Sequence, residues 1–302
     1  RDLFDLVRAE RRPALGFSSD AADDNEHSRF VTLAGTLSGS ISAELRGTVR
    51  ASWRRNTLGG LVGTSNGLDG WLVRSFRSGT SLRAGFGARS LTADSGTRTF
   101  ATVQTGLGLR PGKFTSIAIG YGRYPFDETA VLVRRAFVWD ELDVSADIAP
   151  SPGLDIAVAG NAAWLSDGNR RLIGSIATMV GVARGLHVGA YARILGYREA
   201  NPRRGYFAPD RFTVGEGRLA YAWRRQRWAL RWTGGLGAQQ VGTDGPTQVE
   251  WHGDVTVSRT WRAIDELALV ALYTNSASAR SGSETTSTYR YWSVGLRWRT
   301  GL

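Results

Sequence analysis

The stretch Glu44-Leu45-Arg46-Gly47-Thr48-Val49-Arg50-Ala51-Ser52-Trp53-Arg54 decides the fold. Leu45, Val49, Ala51 and Trp53 fall on one side of an extended chain. Glu44, Arg46, Thr48, Arg50, Ser52 and Arg54 fall on the other. Strand side chains alternate between faces, so this segment is apolar on one face and charged on the other. The same two-residue period recurs along most of the chain, with tryptophan and tyrosine at the segment ends. Repeated amphipathic strands with aromatic ends predict a transmembrane β-barrel with a wet interior.

Composition agrees. The 302 residues are 42% hydrophobic, with 38 glycines, 11 tryptophans and no cysteine. No run approaches the roughly 18 uninterrupted apolar residues of a spanning helix, whereas a barrel strand needs only about 9–11 alternating ones. Without cysteine there are no disulfides, iron–sulfur clusters or thiolate zinc sites. A closed ladder of backbone hydrogen bonds does not need them. Net charge is +11 and Lys113 is the one lysine. The arginines are spread at strand period and do not gather into one patch, which argues against a nucleic-acid partner. The chain begins at Arg1 with no signal segment. An exported barrel needs one, so a mature protein or a piece of a longer one is expected.

Strands are predicted at 14–19, 29–39, 42–54, 68–76, 80–91, 97–110, 114–123, 134–150, 154–165, 171–182, 186–197, 211–224, 227–241, 247–260, 264–275 and 288–300. That is about sixteen, an even number, in an all-β, antiparallel, up-and-down barrel spanning 13–302. Residues 1–12, with Leu3, Phe4, Leu6 and Val7 at helical spacing, form a periplasmic lead-in or a junction to an upstream domain. Connectors alternate. Arg110–Lys113, Ser151–Gly153, Arg184-Gly185 and Arg224–Gln226 are tight; Thr92–Gly96, Tyr124–Val133, Glu199–Asp210, Gly242–Pro246 and Ser276–Ser287 are longer and polar. Short periplasmic turns and long outer loops would put both termini in the periplasm. The last strand keeps Trp292, Val294, Leu296, Trp298 and Leu302 on one parity.

If the apolar parity faces lipid, the other lines a pore. It carries Glu44, Arg46, Arg50, Arg54, Arg83, Arg89, Gln104, His187, Tyr191, Arg193, Glu250, His252, Asp254, Arg297 and Arg299, with Arg74 and Arg110 as further members. Arginine rings bias a pore toward anions; the same arginines can instead pair with acids across the wall. The row Glu250–His252–Asp254 could hold a cation or move protons, but a solvated wall requires neither. No catalytic residue, metal or cofactor is expected. Gly63-Thr64-Ser65-Asn66-Gly67 has the spacing of a nucleophile elbow, but that turn needs a helix after it, and here another strand follows. A lipid hydrolase therefore ranks behind a channel.

Three stretches carry more specific information: Leu165-Ser166-Asp167-Gly168-Asn169-Arg170-Arg171, Gly205-Tyr206-Phe207-Ala208-Pro209-Asp210-Arg211-Phe212 and Gly122-Arg123-Tyr124-Pro125-Phe126-Asp127-Glu128-Thr129. In a barrel of this size the series resembles the C-terminal outer-membrane β-barrel of the C-type cellulose synthase proteins. It is also similar to barrels that follow tetratricopeptide repeats in exopolysaccharide secretion proteins. The resemblance runs from about Ala14 onward. It implies a bacterial outer-membrane channel, lipid-embedded, through which a polysaccharide leaves the cell. It also implies a periplasmic helical-repeat scaffold and an inner-membrane synthase as partners. Tyr206, Phe207 and Pro209 would then belong to an extracellular loop or gate. The arginine-rich lumen departs from a neutral-glucan conduit and leaves room for an acidic polymer. A general porin or small-anion channel is the alternative.

Overall fold

The computed structural model describes residues 12–200, 205–262, 264–277 and 289–302. Most of the proposed lead-in, at 1–11, lies outside them, as does most of the last long connector. Within the described residues, sixteen strands follow one another: β1 (Ala14–Asp24), β2 (Ser28–Ser40), β3 (Leu45–Leu58), β4 (Leu61–Ser75), β5 (Ser81–Ala93), β6 (Gly96–Gly112), β7 (Thr115–Pro125), β8 (Val138–Ser151), β9 (Leu154–Leu165), β10 (Arg170–Ala183), β11 (Leu186–Tyr197), β12 (Phe212–Arg225), β13 (Trp228–Val241), β14 (Thr247–Thr260), β15 (Glu266–Thr274) and β16 (Tyr291–Gly301). Each pairs antiparallel with its neighbours in sequence, and β1 pairs with β16 from Ala14↔Gly301 to Asp24↔Tyr291. The barrel closes, so no strand edge is left unpaired.

The oily stripe faces outward. Leu33, Val49, Leu68, Phe86, Leu172, Ile176, Leu236 and Val249 are all exposed on the outer wall. The inward parity is fixed independently. Asn56, Ser65 and Asp69 are buried and on the opposite parity, and they meet residues inside the barrel. Outward tryptophans form two belts. Trp223, Trp228 and Trp298 sit near the rim where β1 begins and β16 ends; Trp53, Trp164, Trp251 and Trp292 sit near the other. Trp251 also stacks on Tyr273, with ring centroids 4.7 Å apart. Amphipathic rings at both water boundaries, with apolar wall between, are the signature of a membrane-spanning barrel.

The tight turns at 110–113, 151–153, 184–185 and 224–226 lie at the rim where β1 begins and β16 ends, and the connectors after β5, β7, β11, β13 and β15 lie at the opposite one, where the one after β5 shortens to Asp94 and Ser95. Two regions depart from the sequence reading. The segment 61–67, left between the predicted strands 42–54 and 68–76, is the first half of β4. It is reached by a two-residue turn in which Gly59 and Gly60 take φ of 53° and 86°, as primed hairpin turns require. It resembles a loop because its inward face is stripped of bulk. A Cβ on Gly63 would come within 2.7 Å of Val133 from an element inside the barrel. The second departure is that element. A short helix, α1 (Ala130–Arg135), stands where the sequence reading began a strand at Arg134. Thr129 caps it by accepting from the Leu132 N–H, and Ala136 ends it in the left-handed conformation.

Candidate functional site

The lumen is crossed by the β7–β8 connector, which turns inward. Asp127 is its anchor. Asp127 Oδ2 accepts from Ser65 Oγ on β4 at 2.6 Å and from Arg89 Nη1 on β5 at 3.3 Å, and the Asp127 carbonyl accepts from Asn56 Nδ2 on β3 at 2.9 Å. Arg54 adds a bond to the Glu128 carbonyl at 3.1 Å. α1 then lays Val133 over Gly63 of β4 and Leu91 of β5, while Leu132, also buried, faces Phe126 and Trp139. The other flank of the connector is apolar. Phe126 stacks on Trp139 with centroids 4.5 Å apart and meets Tyr206 at 5.5 Å.

Tyr206 belongs to the β11–β12 connector, which also folds into the barrel mouth. Tyr206, Ala208 and Phe212 are buried, and Phe207 packs edge-on to Phe212. The Tyr206 hydroxyl donates to Asp167 Oδ2 at 3.0 Å and accepts from Asn169 Nδ2 at 3.1 Å. Asn169, 1% exposed, also donates to the Glu199 carbonyl and accepts from the Glu199 N–H. The three stretches singled out by resemblance therefore converge. The turn at 165–171 latches Tyr206, Tyr206 packs on Phe126, and Asp127 ties that segment to β3–β5. The inner wall here is apolar, from Trp139, Leu165, Leu195, Tyr197, Phe212 and Val214. Together these contacts link β3–β5 to β9 and β10 across the lumen.

Charge on the inner face is divided. Arg46, Arg50 and Arg54 on β3 and Arg83 and Arg89 on β5 occupy one arc; Glu141, Asp143 and Asp147 on β8 occupy another. Glu141 is held by Tyr124, Asn161 and Arg171, the last at 3.0 Å. Several inner aromatics are capped by guanidinium groups. Arg54 lies over Phe30, Arg83 over Trp71, Arg171 over Trp139 and Arg218 over Tyr191, with the last 3.6 Å from the ring centroid. These contacts hold the arginines along the wall.

The predicted pore residues take different places. Arg46, Arg50, Arg54, Arg83, Arg89 and Gln104 are on the inner parity of β3, β5 and β6, and Arg83 donates to Gln104 at 2.8 Å. His187, Tyr191 and Arg193 are inward on β11. Arg297 and Arg299 are inward on β16, and Arg297 pairs with Asp20 at 2.6 Å. Glu44 is different: it lies in the turn before β3, where Ser42 Oγ accepts from its N–H, and pairs at 3.7 Å with Arg74. Arg74 itself has the outward parity of Leu72, opposite Leu45 and Leu82. The row Glu250–His252–Asp254 is inward, but the partner His252 meets most closely is Glu216 of β12, at 3.0 Å. Sequence reading passed over Glu216, Arg218 and Trp139, and named Asp127 and Asn169 only as members of the stretches that carry the resemblance. Glu216 and Arg218 share one parity opposite Leu219, Tyr221 and Trp223, so that signal was present.

Asp210, in the β11–β12 connector, ties it to the β13–β14 connector by accepting from Thr243 Oγ1 at 2.7 Å. That bond, joined by the Arg211 N–H, holds the Asp210 carboxyl below the usual carboxylate range. A depressed folded pKa means the tie is intact above the unfolded value of about 3.9 and is lost as pH falls through the folded value. Protection factors at 242–246, that is, exchange measured against the intrinsic rate at each pH, should therefore fall on acidification in the wild type and be low at every pH in Asp210→Asn.

Compared as a sequence, the chain matches no protein-family model and no curated protein. Compared as a fold, it superposes on a solved structure described as a bacterial polysaccharide outer membrane secretin. The TM-score is 0.75 at 13% identity, covering 96% of this chain and 99% of that one. The architecture is that of an outer-membrane barrel. CdiB from Acinetobacter baumannii follows at TM-score 0.58 and 8% identity, over 96% of this chain and 60% of that one. OmpF of Salmonella typhi, in complex with daunomycin, gives 0.53 and 7%, over 97% and 99%. At these identities the likeness concerns fold alone. The G-x-S-x-G stretch lies inside β4 and not on a strand-to-helix turn, so it lacks the geometry of a nucleophile elbow.

Proposed function

We propose that the chain is a bacterial outer-membrane conduit for export of a polysaccharide. The observation that carries this reading is the plug: three separated segments meet inside a barrel wide enough for an aqueous channel. The likeness to a polysaccharide secretin supports it. The chain ends and tight turns would face the periplasm, where a helical-repeat scaffold and an inner-membrane synthase would deliver polymer; the plugged mouth would face outward. Burying one side chain the size of Phe126 or Leu132 contributes about 1.5–3 kcal/mol. Several such groups keep the unplugged state rare until polymer arrives. Inner-face guanidinium and carboxylate groups give the polymer a hydrated wall it can leave as easily as enter. The barrel then needs no catalytic group.

The divided charge of the inner face favours a second reading, a porin for small charged solutes. The two separate in cells. Removing the gene should leave polymer trapped in the periplasm if the chain is an exporter. Normal polymer release with slowed uptake of small ions would support the porin and overturn the export reading.

A further inference from the structure

We propose that Glu216, Glu250 and His252 form a divalent transition-metal site in the lumen wall. One donor atom from each, taken from two strands, lies within 4.8 Å of the others. The register explains why. Glu216 on β12 and Glu250 on β14 both face Gly237 of the intervening β13, and His252 faces Gly235. The glycines clear the floor of the site: a Cβ on Gly235 would sit 2.5 Å from Glu216 Oε2 and would also collide with the His252 ring.

The two carboxylates are nearly dry, with side chains 2% and 4% exposed, and His252 is 15% exposed. Arg218 takes Glu216 Oε1 at 2.6 Å and leaves Oε2 turned toward His252 Nδ1. Glu250 Oε1 lies 3.6 Å from that nitrogen, and its buried Oε2 has no hydrogen-bond partner. Arg218 is one fixed positive charge against two buried carboxylates, and His252, 3.0 Å from Glu216 and 3.6 Å from Glu250, supplies a second only while its ring carries a proton, which a bound metal ion would replace. An uncompensated buried carboxylate is costly, and a cation is one of the few ways to offset it. One imidazole nitrogen with two carboxylate oxygens suits Zn²⁺ or Mn²⁺ better than Ca²⁺, which takes six or more oxygens. Three protein ligands leave a further position open toward lumen water. The metal would staple β12 to β14 across β13, a strand weakened by Gly234, Gly235 and Gly237.

The test uses the detergent-purified barrel, treated with EDTA and dialysed, then titrated with ZnCl₂ by calorimetry. One Zn²⁺ should bind per chain, at least ~10-fold more tightly than in Glu250→Gln. Zn²⁺ should raise the melting temperature of the wild type and leave that of the variant where it was. His27→Asn, in the distant β1–β2 turn, should bind as the wild type does. Zinc absorption spectroscopy on the wild type needs no variant and should show imidazole nitrogen with oxygen ligands. Equal affinity in wild type and Glu250→Gln, or an all-oxygen zinc environment, would overturn the proposal.

Discussion

Excising 126–137 and joining Pro125 to Val138 by a short glycine linker should turn a mostly silent barrel into one that conducts continuously in planar bilayers. The excised segment carries Asp127, with its ties to Ser65, Arg89 and Asn56, and Phe126 and Leu132, which fill the apolar centre. The strand ladder does not depend on it. β7 and β8 pair over their own residues from Thr115↔Ile148 to Pro125↔Val138. The barrel should therefore fold and span while its constriction is gone. Sixteen strands without a plug leave a water-filled channel, so mean current should rise at least ~10-fold. Asn169→Ala is the milder form. It removes the Asn169 half of the latch on Tyr206, leaving the bond to Asp167, and strips Glu199 of its side-chain partner, at a cost of about 1–3 kcal/mol. Brief openings should become frequent while the closed state still dominates. Unchanged current after excision would show that the segment does not close the lumen.

The second large effect is on stability, and it depends on which face receives a charge. Ile176 and Ala177 are neighbours near the middle of β10, the first facing out opposite Val158 and the second in opposite Tyr191. Ile176→Arg places a guanidinium in acyl chains and should cost about 2–4 kcal/mol. Ala177→Arg places the same group in lumen water and should stay within about 1 kcal/mol. Refolding into vesicles at graded urea concentrations reads both. Equal costs would remove the distinction between the faces.

The barrel wall was legible because its two faces touch two solvents. Wherever lipid lies on one side and water on the other, as at Val49 to Arg54, alternation is clean and strand ends fall within a few residues. Reading failed where the inner face touches protein. At Trp139, Leu165, Leu195 and Phe212 the inward parity turns apolar because the plug packs there, so period two blurs. At Gly63, Ser65 and Gly67 the inward side chains shrink to admit α1 and Asp127, and a strand reads as a loop. α1, with six residues, is too short to show helical period and owes its place to Thr129 and the surrounding wall. The three short stretches that carried the resemblance turned out to be the plug's own contacts, but nothing in their spacing shows that they touch. The acidic arc on β8 and the partnership of Glu216 with His252 depend on register between strands, which one chain's pattern does not set.

The central claim is that one parity of each strand meets lipid and the other encloses water. The chain has no cysteine, so single cysteines can be placed without interference. The direct measurement puts one at each position from 175 to 180 in liposomes containing brominated lipid and scores two signals. These are labelling by a membrane-impermeant maleimide and quenching of an attached fluorophore. Positions 175, 177 and 179 should label and escape quenching, and 176, 178 and 180 should do the reverse. The same response at every position, or labelling confined to the even-numbered set, would contradict the account.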